Sequence, residues 1–66
     1  MTLTEALEAM LEAGFTQVQD NHSRFPKDIR DVLGQAQWDL SDYTPDPATG
    51  HIAQNHDRPC NHFVCS

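Results

Sequence analysis

Basic residues are scarce in this chain. Lysine and arginine number four in 66 residues (Arg24, Lys27, Arg30 and Arg58) against ten acids, for a formal charge of −6. Such a field repels nucleic acid and membrane surfaces and attracts basic ones. Direct DNA or RNA binding relies on several Lys/Arg phosphate contacts, and the charge opposes it. Long apolar runs are missing too. No stretch approaches the ~18 residues that a membrane span needs. The opening MTLTEALEAML has no basic leading region and carries glutamates early, so it does not read as a signal peptide. The expected location is the cytoplasm of a bacterial host, where Cys60 and Cys65 stay reduced. Catalytic signatures are lacking as well. There is no phosphate-binding glycine loop, dinucleotide fingerprint or HExxH. Asp39, Asp42 and Asp46 lack the spacing of a calcium loop. A chain this short hardly encloses a substrate pocket of roughly 300 Å³ or more, so no enzyme is expected.

What is present begins with an amphipathic helix over residues 2–13. Thr2 and Glu5 match a capping box, in which hydroxyl and carboxylate each satisfy a free backbone N–H. Leu3, Ala6, Leu7, Met10 and Leu11 form an apolar stripe, and Gly14 is a natural stop. Phe15 to Gln19 alternates and reads as a short strand or extended connection, with a turn cluster at Asp20–Ser23. A second helix is expected over 26–37, with Pro26 at its first position, Ser23 or Phe25 near its cap, and Ile29, Val32, Leu33 and Ala36 inward. Two prolines and a glycine make Thr44–Gly50 a loop. His51–Ala53 and Phe63–Cys65 are candidate extended segments. The fold class that follows is small α+β: one domain over 1–66, two helices, short extended segments and a loop-rich C-terminal third. An all-α arrangement is the alternative. The expected core is Leu3, Leu7, Met10, Leu11, Phe15, Val18, Phe25, Ile29, Val32, Leu33 and Trp38. Tyr43 is left between core and interface anchor. A dimer is compatible with the small size.

The tail HDRPCNHFVCS concentrates metal-loving residues. His56, Cys60, His62 and Cys65, with His51 upstream, are of the right types for zinc. Only three residues separate His56 from Cys60, whereas familiar zinc modules hold their ligand pairs a dozen or more residues apart. A Cys60–Cys65 disulfide needs an oxidising compartment. The preferred reading is therefore structural, with no cofactor, and zinc on those four residues is the alternative.

The acids carry the functional reading. Glu5, Glu8 and Glu12 form one row opposite the apolar stripe, and at about 1.5 Å per residue the row spans ~10.5 Å. Glutamates so spaced can occupy sites meant for successive phosphates, which rise about 3.4 Å along a DNA strand. Asp28 and Asp31 make a second patch, and Asp39, Asp42 and Asp46 a third. An ordinary solvated helix mixes charges of both signs, whereas the first helix has no base. In size, charge and lack of an active site, with these acidic positions as its basis, the chain resembles the small acidic phage-encoded anti-CRISPR proteins that act on type I surveillance complexes. The resemblance implies a DNA mimic working by occlusion. Its acidic residues would cover a basic groove on a CRISPR effector (Cascade) subunit, with neither nucleic acid nor membrane as direct partner. A zinc-stabilised adaptor and an antitoxin-like regulator of a basic host protein are the alternatives.

Overall fold

The computed structural model describes residues 1–20, 23–55 and 62–66. Helix α1 spans Leu3–Glu12 and helix α2 spans Ile29–Ala36. Five short strands surround them in sequence: β1 Gln17–Asp20, β2 Lys27–Asp28, β3 Tyr43–Asp46, β4 His51–Gln54 and β5 His62–Cys65. They form one antiparallel sheet in the order β2-β1-β5-β4-β3. The class is α+β, and the all-α alternative is not supported.

Helix α1 starts as its local sequence dictates. The Thr2 hydroxyl accepts from the Glu5 N–H at 3.3 Å, and Glu5 accepts from the Thr2 N–H at 3.0 Å. The chain leaves α1 through Gly14 at φ 104°, a conformation that a Cβ disfavours. Helix α2 begins three residues later than Pro26, and neither Ser23 nor Phe25 caps it. Lys27 and Asp28 pair instead with Val18 and Gln17 of β1, and the Ile29 N–H donates to the Thr16 carbonyl. Asp28 then caps α2 by accepting from the Arg30 N–H at 2.9 Å. Ladder pairing has displaced the first helical turn.

The C-terminal third is strands rather than loops. Tyr43–Asp46 is extended despite Pro45, because β3 lies at the sheet edge, where a missing N–H does no harm. A turn follows, in which the Thr49 and Gly50 N–H groups both donate to the Asp46 carbonyl. On the outer side of β3, the Tyr43 N–H donates to the Met1 carbonyl, so the first residue covers part of the edge.

Both helices pack on one face of the sheet. Leu3, Ala6, Leu7 and Met10 of α1 and Ile29 and Ala36 of α2 form one buried cluster with Val18, Tyr43, Ile52, Phe63 and Cys65. Tyr43 and Phe63 meet edge to face with centroids 6.0 Å apart. Leu11, Phe15, Val32 and Leu33 pack against this cluster half-buried. Two expected core residues lie outside it: Phe25 is 76% exposed and Trp38 81%. Phe25 lies just ahead of the two-residue edge strand β2, outside the buried cluster. Trp38 follows the end of α2, and the periodicity that would have turned it inward stops at Ala36. Among the described residues, no helix is long and apolar enough to cross a membrane.

Candidate protein-docking surface

The eight acids singled out by charge are solvent-accessible: Asp39 is half-buried and the other seven are exposed. They do not make one surface, and they divide by what each carboxylate touches. Glu5 closes the α1 capping box. Hydrogen bonds from the Thr2 N–H and then the Thr2 hydroxyl hold its carboxyl below the usual range. Asp28 caps α2, its carboxylate accepting from the Arg30 N–H. Asp46 accepts from the Ala48 N–H at 3.1 Å and shapes the β3–β4 turn. Asp42 accepts from the Met1 α-amino group and from Asn55 Nδ2, and these contacts hold its carboxyl low.

Asp39 has the most structural role. Its Oδ2 accepts from the Tyr43 phenol at 2.7 Å and its Oδ1 from the Ser41 N–H at 3.0 Å. Partial burial pushes this carboxyl up, but the bonds from Tyr43 and Ser41 outweigh it and leave the group below its ordinary value.

Glu8, Glu12 and Asp31 remain. They make no hydrogen bond or ion pair among the described residues. All three point away from the core on the helix side of the molecule. Asp31 lies in the first turn of α2, where the helix dipole favours an acid. Glu8 and Glu12 have no such benefit. They are one turn apart, so like charges face each other, and Glu12 is the last residue of α1, at the negative end of the dipole. No base offsets them in that last turn.

The far side of the sheet is open. Gln19, Val64, His51 and Asp46 line up across strands β1, β5, β4 and β3. Asp46 thus lies on the opposite side of the molecule from Glu8 and Glu12. His62 is exposed on this open face while Cys65, three residues on in the same strand, is a buried free thiol on the core face. The proposed zinc ligands His62 and Cys65 therefore point to opposite sides of β5. His56 and Cys60, the other two, lie outside the described residues, as does His22 of the turn cluster. Among the described residues, no group of three or more His, Cys, Asp or Glu is placed to hold a metal ion. Burial pushes the Cys65 thiol up. A cleft of about 80 Å³ opens beside Val18, Asp20, Lys27, Val32 and Phe63. That is small beside the roughly 300–1,000 Å³ of ligand pockets.

What charge reading missed is apolar. Trp38 and Leu40 flank Asp39 and are 81% and 82% exposed. The preference of Trp for interfaces was the one signal that pointed there. Comparison of the chain with protein-family models, with curated proteins and with solved structures gave no match.

Proposed function

We propose that the protein is a non-enzymatic inhibitor that docks on another protein. Its acidic helix occupies a basic groove that otherwise holds nucleic acid. The single observation that carries this reading is the Glu8–Glu12 pair. These two carboxylates repel each other one turn apart, Glu12 lies at the negative end of the helix dipole, and neither serves a contact within the described residues. Residues placed against local stability mark sites kept for another purpose. A Lys/Arg-lined groove turns this repulsion into attraction, steers association and makes the affinity fall as salt rises. Asp31 on the same side of the molecule extends the surface.

The target class follows from the resemblance to small anti-CRISPR proteins: a type I surveillance complex, probed at its DNA-binding groove. The test is plaquing efficiency of a phage targeted by an active type I system, in cells with and without the protein. Restored plaquing that is lost in an E8K/E12K/D31K variant is the expected result. Restoration that survives the reversal removes the helix face from the mechanism. No restoration across type I subtypes overturns the target class.

A further inference from the structure

Among the described residues, nothing requires Gly34 to be glycine. It lies inside α2 and is exposed, and a Cβ added there would meet nothing within 4 Å. Positive φ occurs among the described residues only at Gly14 and Gly50, so the backbone at Gly34 is one that any residue adopts. Glycine at such a place weakens a helix relative to alanine. Like the Glu8–Glu12 pair, it stands against local stability.

What Gly34 leaves open is the carboxylate of Asp31. Residues three and four apart are neighbours on a helix, so positions 34 and 35 are the two that could cover or pair with Asp31 from the next turn. A helical side chain leans toward the N-terminus and covers the turn before its own Cα. A side chain at position 34 would therefore lie over Asp31, and glycine has none. Gln35 instead lines the cleft with Val32 and Phe63. Asp31 has no hydrogen bond or ion pair among the described residues. The result is an unpaired, exposed carboxylate at the head of a strip of bare helix backbone.

The chemistry of that strip specifies its occupant. Glu8, Glu12 and Asp31 are acidic, exposed and unpaired on the same side of the molecule, which favours a cation. A surface without side chains suits a flat group. Guanidinium is planar, weakly hydrated and able to pair with a carboxylate through two parallel N–H bonds, whereas an ammonium is a compact, strongly hydrated point charge. We infer that Gly34 and Asp31 form a slot for an arginine side chain of the partner protein, which lies flat along α2 with its guanidinium on the Asp31 carboxylate. The inference rests on reading the chain as a binder of a basic groove and deepens it, because the slot selects arginine over lysine at one point of the surface.

The test uses labelled nona-arginine and nona-lysine peptides at low salt, followed by fluorescence anisotropy. Wild type is expected to bind nona-arginine more tightly than nona-lysine. Gly34→Gln lays a neutral side chain over Asp31. It should weaken nona-arginine binding about three- to fivefold, near the upper end for one exposed ion pair, and narrow the advantage over nona-lysine. Asp31→Asn should do the same. Ala53→Gln adds the same side chain to the open face of β4 and should bind both peptides as wild type does. Thermal unfolding should find Gly34→Gln at least as stable as wild type, since glutamine is the better helix former. Equal affinity of Gly34→Gln and wild type for nona-arginine overturns the inference, as does a wild type without arginine preference. Equal weakening by Ala53→Gln, or a Gly34→Gln less stable than wild type, overturns it as well. Concentration-dependent dimerisation of wild type that Gly34→Gln abolishes also overturns it, since the occupant is then a second copy. E8K/E12K separates the two readings. If it binds both peptides as wild type does while Gly34→Gln is weaker, the acidic row of α1 fails and the slot stands. If it loses binding while Gly34→Gln keeps it, the slot alone fails.

Discussion

The phenol of Tyr43 donates to the Asp39 carboxylate at 2.7 Å. This bond ties the edge strand of the sheet to the loop that displays Trp38 and Leu40. It also explains why an acid expected to meet a partner faces inward. Tyr43→Phe keeps the ring in its buried place against Phe63 and removes the donor to Asp39. The expected loss near neutral pH is about 1.5 kcal/mol, the low end for a bond to a charged group because Asp39 is partly exposed. The Asp39 carboxyl lies below its ordinary value when folded. Its contribution is therefore present above the unfolded value near pH ~4 and is lost as pH falls through the folded one. Urea midpoints of wild type and Tyr43→Phe should differ at pH 7 and converge below pH ~4. A gap that is the same at pH 7 and pH 3 would show that the ionised carboxylate is not the acceptor that matters.

Glu12→Lys is expected to stabilise the protein. The substitution removes repulsion with Glu8, gives Glu8 a lysine partner one turn on in the favourable orientation, and places a cation at the negative end of the α1 dipole. Together these amount to about 0.5–1 kcal/mol. Differential scanning calorimetry should show Tm higher by roughly 3–6 °C. In the plaquing assay the same variant should be the weaker inhibitor. A variant that is both more stable and fully active would leave the Glu8–Glu12 repulsion without a functional explanation.

Removing equal charges at Asp28 and Glu8 should have unequal results. Asp28→Ala loses the α2 cap and is expected to cost about 0.5–2 kcal/mol. Glu8→Ala removes an exposed carboxylate with no partner among the described residues and should stay within about 0.5 kcal/mol of wild type. Binding to a basic partner should reverse the order, with Glu8→Ala the more damaging. Titration at two salt concentrations separates the effects, because only the loss of a partner-facing charge flattens the salt dependence. Equal salt slopes for the two variants would mean that net charge alone governs docking.

The helix α1 was legible because its cap, stripe and stop are all local, within Thr2 to Gly14. The start of α2 was not, since whether Lys27 and Asp28 wind or pair depends on β1, some ten residues back. Pro45 reads as a breaker until β3 is known to be an edge. The same limit applies to the acids. Their exposure could be read from sequence, but their division into caps, locks and unpartnered charges could not. Asp39 and Asp42 depend on Tyr43 and Asn55, which the sequence does not place beside them. The exposure of Trp38, beside Asp39 in the same loop, goes with that hidden lock.

Gly50 and Gly34 should respond to alanine with opposite signs. Gly50 sits at φ 79°, where the turn after β3 enters β4, and a Cβ there would lie 2.8 Å from the Cys65 carbonyl oxygen and 3.1 Å from the Phe15 ring. The left-handed backbone alone costs about 1–2 kcal/mol for alanine. The clash adds to this, because the carbonyl belongs to the strand bonded to Gly50 through the Cys65 N–H and cannot step aside without breaking that bond. Gly34 lies inside α2 with nothing within 4 Å of a Cβ. Alanine there should stabilise by about 0.5–1 kcal/mol, since it removes unfolded-state freedom from a helical position. Chemical denaturation of the two variants checks the pair. A neutral Gly50→Ala would mean that the β4–β5 contact at Cys65 yields easily, and the interior of the sheet would then be softer than its hydrogen bonds suggest.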